Sequence, residues 1–280
     1  MNFLSKEEKF KFIDDLSILE LINLVMSGIS SYNFKQHVAS DIGEHGQYLP
    51  PININSQAYL DQVCNWTDDM QMALNPAKTK FMVMNFTKKF QFNTHIHLKE
   101  TLLEEVEECK LLGLTITNQL TWHQNSENII KKANMRMIIL QKLVEFNLPT
   151  EEMLEVYILF IRCMLEYCCV VWHSSITEEE STNIERVQKT ALRIILGNTY
   201  TDYNSALELT GLDTLSIRRT KLSITFAKKC TRSEVNADLF PLNVKNVNTR
   251  PHEKYFVTPA RTERLAKSTI PYLQRLLNQQ

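Results

Sequence analysis

Two adjacent aspartates near the start of the chain, Asp14 and Asp15, have the clearest chemical potential in the sequence. Apolar residues precede the pair at positions 10–13 and follow it at positions 16–19, a pattern typical of two short strands joined by a tight turn. Carboxylates at the tip of such a hairpin can hold two Mg²⁺ ions, which activate a hydroxyl and stabilise a departing phosphate group. Asp pairs are also common in exposed turns, so a catalytic and a purely structural interpretation both stay open.

Other residues that can do chemistry lie at spacings that favour structural roles. His95 and His97 fall on one face of a predicted strand, but no third ligand follows at a suitable spacing, so a surface strand is the preferred interpretation. His173 follows Trp172 at a predicted helix end, where a charged imidazole would stabilise the helix dipole. The six cysteines include no Cys-x-x-Cys pair, and glycine-rich phosphate-binding motifs and His-Glu-x-x-His are absent from the sequence.

Charge is distributed unevenly along the chain. The 280 residues include 31 Lys and Arg against 32 Asp and Glu, which gives a net charge of −1. Residues 1–180 hold 15 basic and 24 acidic residues, whereas residues 181–280 hold 16 basic and 8 acidic ones, a net charge of +8. A basic C-terminal third can follow a phosphate backbone, although solvated basic helix faces would give the same composition.

The sequence also predicts a cellular location. The N-terminus lacks the apolar core of a signal peptide, and Cys163, Cys168 and Cys169 lie in an apolar helical run, where they resemble small hydrophobic residues of a reducing compartment. We therefore expect an intracellular protein, cytoplasmic or nuclear, that is not secreted. The most apolar stretch, residues 153–172, is interrupted by Glu155, Arg162 and Glu166, which indicates a buried helix and no membrane partner.

Short strands and one helix are predicted for the first 120 residues. After the hairpin, the predicted elements are a loop at 28–56, a helix from Ser56 to the Asn75-Pro76 stop, strands at 81–84 and 111–116, and a solvated acidic turn or strand edge at 104–108. This region is expected to be a small α+β domain.

Long helices dominate the pattern after Trp122. Thr177 precedes three glutamates and Gly197 follows the last apolar residue of the same stretch, which matches helix-cap chemistry. The predicted helices cover residues 123–146, 150–172, 177–196, 203–209, 214–232 and 270–278. We expect an α+β protein with a mixed domain at 1–120, a helical region at 121–232 and a polar tail at 233–280 that ends in a short helix.

Several short strings, taken in their order along the chain, point to a protein family. They are Phe12-Ile13-Asp14-Asp15-Leu16, Trp66, Leu74-Asn75-Pro76-Ala77-Lys78-Thr79-Lys80-Phe81-Met82-Val83, Lys110-Leu111-Leu112-Gly113-Leu114-Thr115-Ile116, Leu120-Thr121-Trp122, Val171-Trp172, the stretches 184–189 and 193–197, and Pro259-Ala260-Arg261-Thr262-Glu263-Arg264. Together they resemble the reverse transcriptase of jockey-like non-LTR retrotransposons over nearly the whole chain. The resemblance implies a partial palm of short antiparallel strands and one helix, followed by an all-helical thumb.

This resemblance implies roles for individual residues. Asp14 and Asp15 resemble the pair that binds Mg²⁺, the cofactor of two-metal nucleotidyl transfer. Lys78 resembles the lysine that assists proton transfer to the departing pyrophosphate. The implied partners are an RNA template and a DNA primer.

The resemblance also implies nucleic-acid contacts outside the metal site. Residues 111–116, with Leu112 and Gly113, resemble the hairpin that grips the primer terminus. The thumb residues that it places against phosphates are Lys131, Lys132 and Arg136. Exposed solubilising charge explains these three basic residues equally well.

The family's metal site needs a further aspartate from a strand well upstream of the Asp-Asp hairpin, and only 11 residues precede Phe12. We therefore expect a truncated RNA-directed DNA polymerase that is inactive alone, because two carboxylates without a third bind Mg²⁺ weakly. The alternative is a non-catalytic nucleic-acid-binding module that uses the basic C-terminal third. A third interpretation is that exposed palm strands prevent stable folding, while the helical part folds through its local contacts.

Overall fold

The computed structural model describes residues 56–84, 86, 95–233, 235–243 and 254–280. The chain divides into two compact units, Met1–Leu120 and Thr121–Gln280, and the predicted change of character after residue 120 falls at the same place. The described part of the first unit combines a helix with short strands, and that of the second is mainly helical, so an α+β class fits the protein. The predicted hairpin at 10–19, with Asp14 and Asp15, lies outside the described residues, as does nearly all of the predicted loop at 28–56.

The first unit contains one described helix and three two-stranded sheets. The elements are α1 (Ser56–Asp69), β1 (Lys80–Phe81), β2 (His97–Leu98), β3 (Thr101–Leu102), β4 (Glu104–Glu105), β5 (Glu108–Leu111) and β6 (Leu114–Thr117). β1 pairs in parallel with β4, whereas β2–β3 and β5–β6 are antiparallel hairpins. The predicted strand at 81–84 is thus shorter than expected, and the acidic run forms an exposed strand edge as expected.

α1 packs against the β2–β3 hairpin. Cys64 forms a small core with Leu98 and Leu103. The side-chain amide of Gln57 exchanges two hydrogen bonds, each 2.9 Å, with the backbone of His97. These contacts fix the face that α1 buries, because a helix buries the side of its surface that carries apolar groups.

The end of α1 differs from the prediction. The sequence predicts a helix that continues to Asn75, but α1 stops at Asp69 and Gln71 takes a left-handed φ of 58°. The Asn75 side chain instead accepts a 3.0 Å hydrogen bond from the backbone N–H of Ala77. Asparagine is favoured in such turns because its side chain replaces a backbone partner.

The stretch at 111–116 is a hairpin and not the single strand that its apolar pattern predicts. β5 and β6 meet at Leu112 and Gly113, whose φ values of 44° and 89° are both positive. Two positive φ values define the tight turn whose twist matches that of the flanking strands.

The second unit is built from helices of very different length. They are α2 (His123–Glu145), α3 (Thr150–Val156), a π-helical segment (Tyr157–Arg162), α4 (Cys163–Glu166), α5 (Cys169–Trp172), α6 (Glu178–Leu196), α7 (Tyr203–Thr210), α8 (Leu215–Cys230), α9 (Glu263–Lys267) and α10 (Thr269–Asn278). The helices predicted at 123–146, 177–196, 203–209, 214–232 and 270–278 are confirmed to within about two residues, which is the usual uncertainty of helix ends.

α2 and α6 form the centre of this unit. α2 buries Ala133, Met137 and Leu140, and α6 buries Ile184 and Ala191. α6 begins at Thr177, whose side chain accepts a 3.1 Å hydrogen bond from the N–H of Glu180, while the Glu180 carboxylate accepts a 2.7 Å bond from the N–H of Thr177. This reciprocal cap is the one that the threonine and glutamate predict.

The predicted helix 150–172 is interrupted. It runs from Thr150 to Glu166 with a π-helical stretch in its middle, and Cys168 then adopts a left-handed φ of 48° before α5. Tyr157, Ile161, Leu165 and Trp172 are all buried. Residues four apart lie on the same side of a helix, so Tyr157, Ile161 and Leu165 share one buried side.

The end of the tail packs into the helical unit. α10 buries Leu273, Leu276 and Leu277 in a cluster with Ala227 and Cys230 of α8. The segments 235–243 and 254–262 are less irregular and less polar than predicted, because they contain a 3-10 helix at Ala237–Leu239, an antiparallel bridge between Leu242 and Tyr255, and Phe240, which is buried in the same cluster. α9 is a helix that the sequence pattern did not predict.

Candidate nucleic-acid interface

Three cations lie on the outward side of α6. Arg186, Lys189 and Arg193 follow at spacings of three and four residues, which places them on one face of a helix, with about 10 Å between the first and the last. The opposite face carries the buried residues Ile184, Val187, Gln188, Ala191 and Ile195. Within the described residues, none of the three cations forms an ion pair. We call these three residues the basic face of α6.

Two tyrosines and an asparagine hold the basic face in position. The Lys189 ammonium lies 4.9 Å from the ring centre of Tyr203, and the Arg193 guanidinium lies 5.4 Å from that of Tyr200. Arg186 donates a 2.8 Å hydrogen bond to the side chain of Asn183. Cation–π contacts of this kind hold a cation in place and leave its charge uncancelled. The face therefore presents positive charge at defined positions.

A buried hydrogen-bond network supports the face from below. Gln188 is fully buried, and its side chain accepts from the Tyr157 hydroxyl (2.7 Å) and donates to the Tyr203 hydroxyl (2.9 Å) and to the carbonyl of Asp213 (3.0 Å). The Tyr203 hydroxyl donates to the carboxylate of Glu185 in a short hydrogen bond. Burial, and then this bond to Glu185, raise the pKa of Tyr203, so its hydroxyl stays neutral at physiological pH.

The carboxylates nearest in sequence to the face are engaged in structural hydrogen bonds. Glu185 accepts from Tyr203 and from the backbone N–H of Leu215 at 3.1 Å. Asp202 caps α7 through the N–H groups of Asn204 and Ser205. The hydrogen bonds from Ser205 lower the pKa of Asp202. These carboxylates stabilise helix starts and a buried hydroxyl, and none forms an ion pair with the basic face.

Arg219 of α8 is a buried cation that does not belong to the basic face of α6. Arg219 is fully buried and donates to His173 Nδ1 (3.2 Å) and to the Ser181 hydroxyl (3.1 Å), with its Cζ 5.7 Å from the Trp172 ring centre. Burial first, and the charge of Arg219 second, lower the pKa of His173 to about 4. The predicted role of His173 as a positive charge at a helix end is therefore wrong, because the ring is neutral.

The predicted phosphate contacts on α2 have different environments. Lys131 and Lys132 are exposed, and neither forms an ion pair in the part of the chain that the structure describes. Arg136 is also exposed, but its Nη1 donates a 2.6 Å hydrogen bond to the carbonyl of Phe160 and so helps to join α2 to the π-helical segment. Their contact with phosphate stays a prediction. Because α2 and α6 pack through their buried sides, these lysines point away from the basic face of α6.

The predicted residues of the first unit lie in turns. Lys78 is exposed in the turn after Asn75 and donates its N–H to the Asn75 carbonyl at 3.1 Å. Leu112 sits at the tip of the β5–β6 hairpin with 58% of its surface exposed. A positive φ is uncommon for leucine and costs free energy of folding. Their predicted roles in catalysis and primer contact stay predictions.

The magnesium site stays a prediction as well. Asp14 and Asp15 lie outside the described residues. Among the described residues no group of three or more His, Cys, Asp or Glu side chains is arranged to hold a metal ion. Both predicted histidines are exposed, but only His97 lies in a strand, because β2 begins at His97 and His95 precedes it.

Two further findings bear on identity. None of the described helices is long and apolar enough to cross a membrane. Comparisons with family models, with curated proteins and with solved structures find no match.

Sequence reasoning did not select the basic face of α6 as a site. The signal is present in the sequence, because Arg186, Lys189 and Arg193 recur at helical spacing opposite an apolar stripe. What the sequence does not show is the placement of Tyr200 and Tyr203 over the cations, since that depends on how the chain turns back between α6 and α7.

Proposed function

We propose that the helical unit binds nucleic acid through the basic face of α6, as the thumb of an RNA-directed DNA polymerase related to non-LTR retrotransposon reverse transcriptases. The observation that carries the proposal is the set of three ordered cations without ion-pair partners among the described residues. The residues 184–189 and 193–197, which belong to the strings that resemble the family, contain all three. The partner is then an RNA–DNA primer–template duplex.

The chemistry of the face favours phosphates over bases. Lys189 and Arg193 each lie over one face of a tyrosine ring, so this face presents cations where an aromatic platform would otherwise stand. Cations on a helix face neutralise phosphates and release counterions, which makes binding depend on salt and not on sequence. Three phosphate contacts give a slope of log K against log salt of about −2.7 on a duplex.

The test uses the full chain and a short labelled RNA–DNA duplex in fluorescence anisotropy at several salt concentrations. Replacing Arg186, Lys189 and Arg193 together by Gln is expected to flatten the salt slope by up to about 2.7 and to weaken binding at low salt. The matched control replaces three lysines that each pair with a carboxylate at 2.6 Å, namely Lys99, Lys221 and Lys267. Equal affinity and equal slope for both triple variants would refute the proposed interface.

The nucleotidyl-transfer chemistry of the family is a separate part of the proposal. The observation that favours it is the β5–β6 hairpin with its turn at Leu112 and Gly113, placed shortly before the helical unit. Asp14 and Asp15 would hold Mg²⁺, and Lys78 would assist the departing pyrophosphate. Primer extension on a primed RNA template with Mg²⁺ tests it. Incorporation that Asp14→Asn abolishes would support catalysis by this pair and contradict the expectation that the chain alone is inactive, whereas incorporation unaffected by that change would exclude the pair as the metal site.

A further inference from the structure

A second exposed surface of the helical unit has an apolar centre. Met135 and Ile138 of α2 have 69% and 59% of their surface exposed, and Leu159 and Phe160 of the π-helical segment have 66% and 52%. The hydrogen bond from Arg136 to the Phe160 carbonyl holds the two segments side by side. Large apolar side chains that cluster on a surface mark interaction sites more often than scattered ones do. We call these four residues the apolar centre.

The two ends of this surface carry opposite charge. Lys131 and Lys132 lie on α2 one turn before Met135, and they form the basic end. Glu152 and Glu155 lie on α3 at positions that precede Leu159 by about two turns and one turn, and they form the acidic end. None of these four charged residues forms an ion pair within the described residues.

The ends are well separated, because α2 and the segment that follows run in opposite directions. A connection of only four residues, 146–149, joins the end of α2 to the start of α3. The acidic end therefore lies beside the C-terminal end of α2, whereas the basic end lies toward its N-terminal end. From residue 131 to residue 145 the helix rises about 21 Å.

We propose that this surface binds a second copy of the chain in a two-fold symmetric, antiparallel arrangement. A two-fold axis through the apolar centre brings the basic end of each copy against the acidic end of the other, so that one patch is complementary to itself. The apolar centres then cover each other, which removes exposed apolar area from water. Nucleic acid fits this surface less well, because Glu152 and Glu155 would repel its phosphates.

Charge reversal tests the arrangement. One variant carries Lys131→Glu and Lys132→Glu, and the other carries Glu152→Lys and Glu155→Lys. Each variant alone has two ends of the same sign, so we expect its dimer to dissociate about tenfold more readily or worse. Mixed in equal amounts, the two variants have complementary ends at both contacts, and we expect a heterodimer with the mass of two chains in analytical ultracentrifugation. Failure of the mixture to restore the dimer would overturn the proposal.

A second measurement tests the apolar centre independently of charge. Ile138→Asn removes an exposed apolar group, so it is expected to raise the dissociation constant of the dimer while the thermal melting temperature of the monomer hardly changes. The matched control is Leu209→Asn on α7, a leucine that is 65% exposed and lies outside this surface. A wild-type chain that stays monomeric over the whole soluble concentration range, or a dimer equally stable in both variants, would overturn the proposal. All samples are treated with nuclease first, so that bound nucleic acid cannot bridge two copies.

Discussion

The hydrogen bonds of Gln188 allow a quantitative test of how the helical unit is held together. Gln188→Met keeps the approximate volume of the side chain but removes three hydrogen bonds, to the Tyr157 hydroxyl, the Tyr203 hydroxyl and the Asp213 carbonyl. At about 1 kcal/mol for each bond, we expect the free energy of unfolding to fall by about 3 kcal/mol. The Tyr157 hydroxyl makes the largest contribution, because it is fully buried and loses its acceptor, whereas Tyr203 can still donate to Glu185.

A double-mutant cycle separates this cause from a loss of packing. Tyr157→Phe removes the hydroxyl that Gln188→Met leaves without an acceptor, so the double variant should be more stable than the sum of the two single effects predicts, by about 1 kcal/mol. The assay is urea unfolding followed by far-ultraviolet circular dichroism, whose signal comes mainly from the helices. Strict additivity of the two changes would refute the reasoning, because independent packing losses add and a shared hydrogen bond does not.

Three further predictions follow from single contacts. Burial, and then the charge of Arg219, lower the pKa of His173 in the folded state to about 4, below its usual 6.5. Because the unfolded state takes up this proton at higher pH, the free energy of unfolding should fall by up to about 3 kcal/mol as the pH drops from 6.5 to 4. His173→Gln should remove that part of the pH dependence in denaturation curves, and an unchanged slope would contradict it. Thr177→Ala should cost about 1 kcal/mol by removing the cap of α6, whereas Thr182→Ala on the exposed side of the same helix should cost nothing in the same denaturation assay. Leu112→Asn should stabilise the β5–β6 hairpin by several tenths of a kcal/mol in thermal unfolding, because asparagine tolerates the positive φ of 44° better than leucine; a loss of stability would show that the leucine side chain holds the hairpin.

The helices that could be predicted from the sequence are those whose signals are local. The start of α6 at Thr177 and its end before Gly197 follow from cap residues that act within four positions of themselves. The turn at Leu112 and Gly113 did not emerge from the apolar pattern, because leucine is an uncommon residue at a positive φ. That hairpin was predicted only through the family resemblance.

The break in the helix near Cys168 could not be predicted from the apolar periodicity of the sequence. The apolar run from 153 to 172 contains neither proline nor glycine, so nothing local predicts that the helix stops after Glu166. The cause is tertiary. Glu166 accepts two hydrogen bonds from Arg218 of α8, at 2.7 and 2.9 Å, and Trp172 donates a 3.0 Å bond to the carbonyl of Tyr167, which the broken helix leaves available. Arg218 belongs to a helix more than 50 residues further along the chain, so the stretch 153–172 by itself does not encode this contact.

The same packing explains why two surfaces with different chemistry lie on one small unit. α2 and α6 meet through their apolar sides, so their outward sides face in opposite directions. The outward side of α6 carries cations and no large apolar groups. The outward side of α2 is apolar in its centre, with basic residues toward its N-terminal end and the acidic residues of α3 beside its C-terminal end. The net charge of the whole chain, −1, does not indicate this difference, because the arrangement of charge around each helix decides what its surface can bind. If the chain self-associates through α2 as proposed, the basic face of α6 stays accessible in both copies, and the proposed dimer contact and the proposed α6 interface use separate residues.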